Sequence, residues 1–149
     1  MPPIKKMLEL GLPVCLGTDG TRVSSYGPWP SIYRAATGTS ESGLKTWRDQ
    51  DVPSCYQALQ LMTRGSASMS NEEKVEGTIT PGQYPDLVIL PRDYFTIDVE
   101  KIKNLESELT IVNGKVVYAA GPYQSLSPQL PAISPAWSPV SFYGGYQNS

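Results

Sequence analysis

The chain has 149 residues, a formal net charge of −2 and an apolar content of 40%, which suits one domain or part of a larger one. Such a charge gives no long-range field for nucleic acid or an anionic membrane, and no run of about 18 apolar residues is present to span a bilayer. Histidine is absent, so the commonest metal ligand and the commonest general base are missing, and Ser-His or Cys-His catalysis is excluded within the chain.

The start, Met-Pro-Pro-Ile-Lys-Lys, shows neither an apolar h-region nor a small-residue cleavage site. Residues 2–10 read as a short helix, with Pro2 and Pro3 in its first turn and Ile4, Met7 and Leu8 on one apolar face. Gly11 suits the left-handed position that ends it, and Pro13 prevents its continuation. Val14-Cys15-Leu16, bounded by Pro13 and Gly17, fits a strand buried on both faces, as in a parallel sheet. It runs into the polar loop Gly17-Thr18-Asp19-Gly20, so helix, turn, strand and loop make one α/β unit. Residues 28–37 have room for a short helix, and 38–52 read as a long surface loop.

Ser54 starts the clearest helix. Ser54 and Gln57 form a capping-box pair, and Cys55, Leu59 and Met62 share a face. The run Gly65-Ser66-Ala67-Ser68 is small enough for close packing against a neighbour, and the helix should end near Ser70. The pattern then turns to β. Pro81-Gly82 signals a type II turn, Asp86 to Leu90 reads as a buried strand, and Asp98 can cap a short helix through about Lys103. Leu109–Val112, Asn113-Gly114 and Lys115–Tyr118 spell a hairpin with the strongest two-residue turn signal. No charged residue follows Lys115, and the tail alternates proline with aromatic residues. Proline forbids regular structure there; the tail either lies along a protein surface or is a disordered terminus. Cys15 and Cys55 fit buried thiols in a reducing compartment, the cytoplasm, better than a disulfide framework.

Several of these pieces together resemble the amidohydrolase superfamily, and most closely its amidohydrolase 3 branch. Pro13 to Trp29 (PVCLGTDGTRVSSYGPW) looks like the family's last barrel strand and the loop after it, and Ala58 to Ala67 like the following helix. Glu76 to Gln83 with Asp86 to Leu90 is similar to its G-x-I-x-P-G-x-x-A-D-L-x-x-L signature, and Thr110 to Tyr118 to its closing hairpin. Pro85 departs from the small residue usual before the aspartate and should only stiffen the approach to the strand. The resemblance covers roughly residues 2–121.

It implies an α/β fold: the C-terminal part of a (β/α)8 barrel, with its last helix–strand–helix units, plus the C-terminal strands of a small β-sandwich. On that mapping residues 1–75 belong to the barrel, 76–121 to the sandwich and 122–149 to the tail. The family's histidine ligands would lie in the missing N-terminal barrel segment, which the zero histidine count fits. Asp19 is then the catalytic candidate: at the C-terminal end of a barrel strand it can take a proton from water and ligate a divalent metal, zinc being the one expected in the complete enzyme. Without the resemblance it would be an aspartate tolerating a Gly-flanked turn. Arg22, Tyr26 and Trp29 follow in the same loop as candidate substrate contacts, the alternatives being a solvated arginine and packed aromatics. Asp86 reads as structural, Cys15 as a core residue, and Glu72-Glu73 as a solvated run.

The leading reading is thus the C-terminal portion of a metal-dependent hydrolase of amide or related C–N bonds acting on a small molecule. The isolated chain should be inactive and hold no metal. Its expected partner is the missing barrel segment or a second copy. The alternatives are a non-catalytic truncated product or interaction module pairing with another chain, and a self-standing small α/β domain.

Overall fold

A computed structural model describes residues 2–20 and 26–129. The first element is α1 (Ile4–Glu9), and Pro3 caps it from outside rather than entering its first turn. It ends in a Schellman motif: Gly11 takes φ +70°, its N–H bonds the Leu8 carbonyl, and the Leu12 N–H bonds that of Met7. Ile4 is buried and Met7 and Leu8 are half-buried, the face their spacing predicts.

Val14–Leu16 follow and join no ladder. A parallel strand needs hydrogen-bonding neighbours, and none of the described residues supplies one. The segment lies instead on a helix that starts at Ser54. There the capping box forms as expected: the Gln57 N–H donates to Ser54 Oγ at 3.2 Å, and the Ser54 N–H donates to Gln57 Oε1 at 2.9 Å. The helix is not one regular rod through Ser70. It comprises α3 (Cys55–Gln60), a π turn (Leu61–Gly65) and α4 (Ser66–Met69). Between α1 and α3, α2 (Pro28–Thr37) opens with proline at N1 and ends on Gly38 at φ +68°. The expected loop 38–52 holds one isolated bridge, Thr39 to Lys45, and a 3-10 turn, Asp49–Asp51. Asp51 is buried there, held by Arg48 Nε at 2.7 Å.

The β part is a three-stranded antiparallel sheet in the order β1 (Leu87–Ile89), β2 (Leu109–Val112), β3 (Lys115–Ala119). Asn113 and Gly114 both take positive φ, 49° and 74°, which makes the hairpin turn type I′ and matches the strand twist. Gly82 at φ +95° and the Gln83 N–H on the Thr80 carbonyl complete the type II turn. Asp98 caps a helix as expected, but it is a 3-10 helix, Val99–Asn104. Asp86 accepts the Asn113 N–H at 2.6 Å and so ties the start of β1 to the hairpin tip. The β1 strand is not buried: it lies at the sheet edge, with Val88 53% exposed. Its apolar run expects a covering layer that the described residues do not contain. The tail also departs from expectation at its start, since Gly121–Leu126 form a 3-10 helix with Pro122 in its first turn, where a missing N–H costs nothing. The rest of the tail reading lies outside the described residues.

The core joins α2 and α3 to the segment between β1 and β2. Ile32, Tyr33 and Ala35 pack with Ala58, Tyr94, Ile102 and Leu105, and Leu16, Cys55, Leu59 and Met62 close in around them. The core thus draws on residues from both sides of position 75. Tyr33 Oη donates to both Glu100 carboxylate oxygens at 2.9 and 3.0 Å, and Lys103 lies 4.7 Å over its ring. The Lys103 hydrogen bond, then that of Tyr33, hold the Glu100 carboxyl below the ordinary carboxylate range. Burial pushes the Tyr94 hydroxyl far above the usual tyrosine range, and that hydroxyl donates to the Cys55 carbonyl at 2.9 Å.

Candidate active site

What positions Asp19 is the way residues 13–17 sit on the helix from Ser54. The Leu16 N–H donates to the Leu61 carbonyl at 3.1 Å, and the Leu16 carbonyl accepts from Ser66 Oγ at 3.1 Å. A π turn breaks the regular i→i+4 pattern, and here the carbonyl that opens it takes a partner from outside the helix. Gly65 makes the approach feasible, because a Cβ there would stand 2.6 Å from the Val14 carbonyl oxygen. The small run read as a close-packing surface is therefore one, and its neighbour is the Asp19-bearing segment. Both cysteines are unbridged and half-buried, Cys55 against the core.

Three residues beyond Leu16 the chain reaches Asp19, which is exposed and adopts φ +49°. Among the described non-glycine residues only Asn71 and Asn113 share a positive φ. Aspartate tolerates this region at a cost of order 1 kcal/mol. The next residue, Gly20, donates its N–H to Thr18 Oγ1 at 3.2 Å. Its bare Cα faces Tyr26 so closely that a Cβ would lie 2.7 Å from the Tyr26 Cα and Cβ. Tyr26, itself half exposed, thus lies against Gly20, the residue after Asp19. Trp29, the second residue of α2, is half-buried against the core with its ring centroid 6.0 Å from that of Tyr94, a packing position. Arg22 lies outside the described residues.

A groove of about 290 Å³ runs along the seam between α1 and the Ser54 helix, lined by Leu8, Leu12, Val14, Leu61 and Arg64 among others. Asp19 does not line it. A catalytic zinc site takes about three protein ligands. Among the described residues no three of Cys, Asp and Glu converge to hold an ion, and the chain has no histidine. Asp19 is one exposed carboxylate, outside any such group of donors among the described residues.

Comparison with known proteins decides the family. The amidohydrolase family model, of the type 3 branch, matches residues 1–118. The chain belongs to the amidohydrolase family. It is 29% identical over 116 residues to the YtcJ protein of Bacillus subtilis (strain 168), covering 76% of this chain and 22% of that protein. It is also 29% identical over 133 residues to the 5-methylthioadenosine/S-adenosylhomocysteine deaminase of Moorella thermoacetica, covering 83% of this chain and 30% of the relative. The crystal structure of an amidohydrolase from Thermotoga maritima MSB8 superposes with a TM-score of 0.52 at 22% identity, over 78% of this chain and 25% of that one. The chain thus spans about a quarter of the length of these relatives. The fold likeness agrees with a mixed α/β chain carrying a small antiparallel sheet. As for the membrane, no helix among the described residues is long and apolar enough to cross one.

Sequence reasoning singled out Asp19 through the resemblance and gave no sign of the π turn or of the Ser66 hydrogen bond to the Leu16 carbonyl. The small residues 65–68 signalled close packing. What they lacked was the identity of the neighbour.

Proposed function

We propose that this chain is the C-terminal portion of a cytoplasmic, metal-dependent hydrolase of C–N bonds in small molecules, and that Asp19 is its proton-transferring carboxylate. The observation that carries the reading is the pairing of a family match over residues 1–118 with an exposed aspartate in a left-handed conformation, at the end of a segment fixed by its neighbours. Hydrolysis of a C–N bond needs water to lose a proton as it attacks carbon, and nitrogen to gain one as it leaves. A carboxylate beside the attacking water accepts the first proton and can return it to the departing nitrogen. In this proposal residues 1–75 complete a barrel, residues 76–121 a smaller sandwich, and the metal ligands come from a preceding segment. Tyr26 and Arg22 border the substrate from the Asp19 loop, and Trp29 holds the start of α2 to the core beneath it. The exposed apolar edge at Val88 and Ile89 supports a partner segment packing there.

The test is Asp19→Asn in the longer protein. Asparagine keeps the size and accepts the same positive φ, so the backbone is unperturbed while the proton acceptor is lost. Turnover should fall about 10²–10⁴-fold at unchanged melting temperature. Near-normal turnover would return Asp19 to the role of a turn residue.

A further inference from the structure

We propose that Ser66 is a positioning residue for Asp19, acting through the backbone of Leu16; the proposal rests on the catalytic role proposed for Asp19. Both backbone groups of Leu16 are engaged by one short stretch of helix. Its N–H goes to the Leu61 carbonyl and its carbonyl receives the Ser66 hydroxyl, each at 3.1 Å. Ser66 Oγ is also 3.3 Å from the Leu61 carbonyl oxygen. A hydroxyl has one proton, so Ser66 shares it between two acceptors, one on each side of the seam. A strand ordinarily takes its register from the strands beside it. Among the described residues the links that hold Leu16, and with it the place of Asp19 three residues on, come from the Ser54 helix, and one of them is a side chain of α4. The π turn offers the Leu61 carbonyl, Gly65 removes the Cβ that would block approach, and Ser66 closes the link. An error of about 1 Å in a catalytic group can cost about 10²-fold in rate, so a register link of this kind bears on turnover.

The experiment compares Ser66→Ala, Ser66→Thr and Asp19→Asn. In this chain, amide hydrogen exchange at Leu16 should quicken about tenfold in Ser66→Ala, the scale of one lost hydrogen bond, and return toward the parent rate in Ser66→Thr, which keeps the hydroxyl. In the longer protein, Ser66→Ala should lower kcat about tenfold with KM unchanged, and Ser66→Thr should restore it. Parent kcat in Ser66→Ala beside an inactive Asp19→Asn would overturn the positioning role while leaving Asp19 in place. Loss of kcat together with a large drop in melting temperature and no rescue by threonine would also overturn it, as mere structural damage. An active Asp19→Asn would bring down both readings, whatever the exchange at Leu16.

Discussion

Replacing Gly65 by alanine sets two effects of opposite sign against each other. In a helix, alanine is favoured over glycine by about 1 kcal/mol. At this position, however, the added Cβ would stand 2.6 Å from the Val14 carbonyl oxygen and 3.4 Å from the Cys15 Cα and the Gln60 carbonyl oxygen. The closest neighbour is backbone, which cannot rotate away like a side-chain tip. The segment must lift by several tenths of an ångström, and the 3.1 Å Leu16–Leu61 hydrogen bond lengthens with it. Overpacking of this kind costs about 1–3 kcal/mol, and weakening the hydrogen bond adds about 1 kcal/mol. The clash wins, with a net loss of about 1–3 kcal/mol after the propensity gain. Urea unfolding should show a lower midpoint at unchanged slope, and the Leu16 amide should exchange faster. A Gly65→Ala chain more stable than the parent, with Leu16 exchange unaltered, would refute the close docking of residues 13–17 on the π turn.

Ser54→Ala removes the capping-box acceptor and should cost about 1 kcal/mol in thermal or urea unfolding, whereas Ser54→Asp should retain most of the stability. The Glu100 carboxyl is held below its ordinary value, so its contribution is present above about pH 4.3 and lost as pH falls through the lower folded value. Glu100→Gln should therefore flatten the acid side of the stability profile, and an unchanged acid limb would remove Glu100 from that role. Tyr94 and Lys103 have raised folded values, so their contributions are complete below about pH 10 and lost as pH rises through those values. Tyr94→Phe should extend stability to higher pH while losing about 1 kcal/mol near neutrality for the hydrogen bond to Cys55. Val88, Val112, Val117 and Tyr118 lie exposed on the small sheet, so sedimentation at micromolar concentration should show self-association; a monodisperse monomer would count against the uncovered-edge reading.

What the sequence determined by itself is what a residue does to its own backbone or within a turn of it. The capping box at Ser54 and Gln57, the Schellman glycine at position 11, the type II turn at Pro81-Gly82, the type I′ turn at Asn113-Gly114 and the cap at Asp98 were all legible. Each rests on a φ preference or on a hydrogen bond a few residues long. Hydrophobic periodicity likewise marked the buried face of α1. It misjudged β1, because a run of apolar residues records that a strand expects cover and not whether the cover is present. The links that join distant parts of the chain are of another kind: Leu16 to Leu61 and Ser66 ahead of the candidate site, Asp86 to Asn113 at the hairpin, Tyr33 to Glu100 at the core. No local pattern encodes such pairs, since each side chain satisfies its polar atoms equally well with water until folding brings its partner near. The π turn belongs to the same class, since no residue pattern in 61–65 announces it and its opening carbonyl is partnered by Leu16 from 45 positions earlier in the chain, so only the tertiary structure decides it.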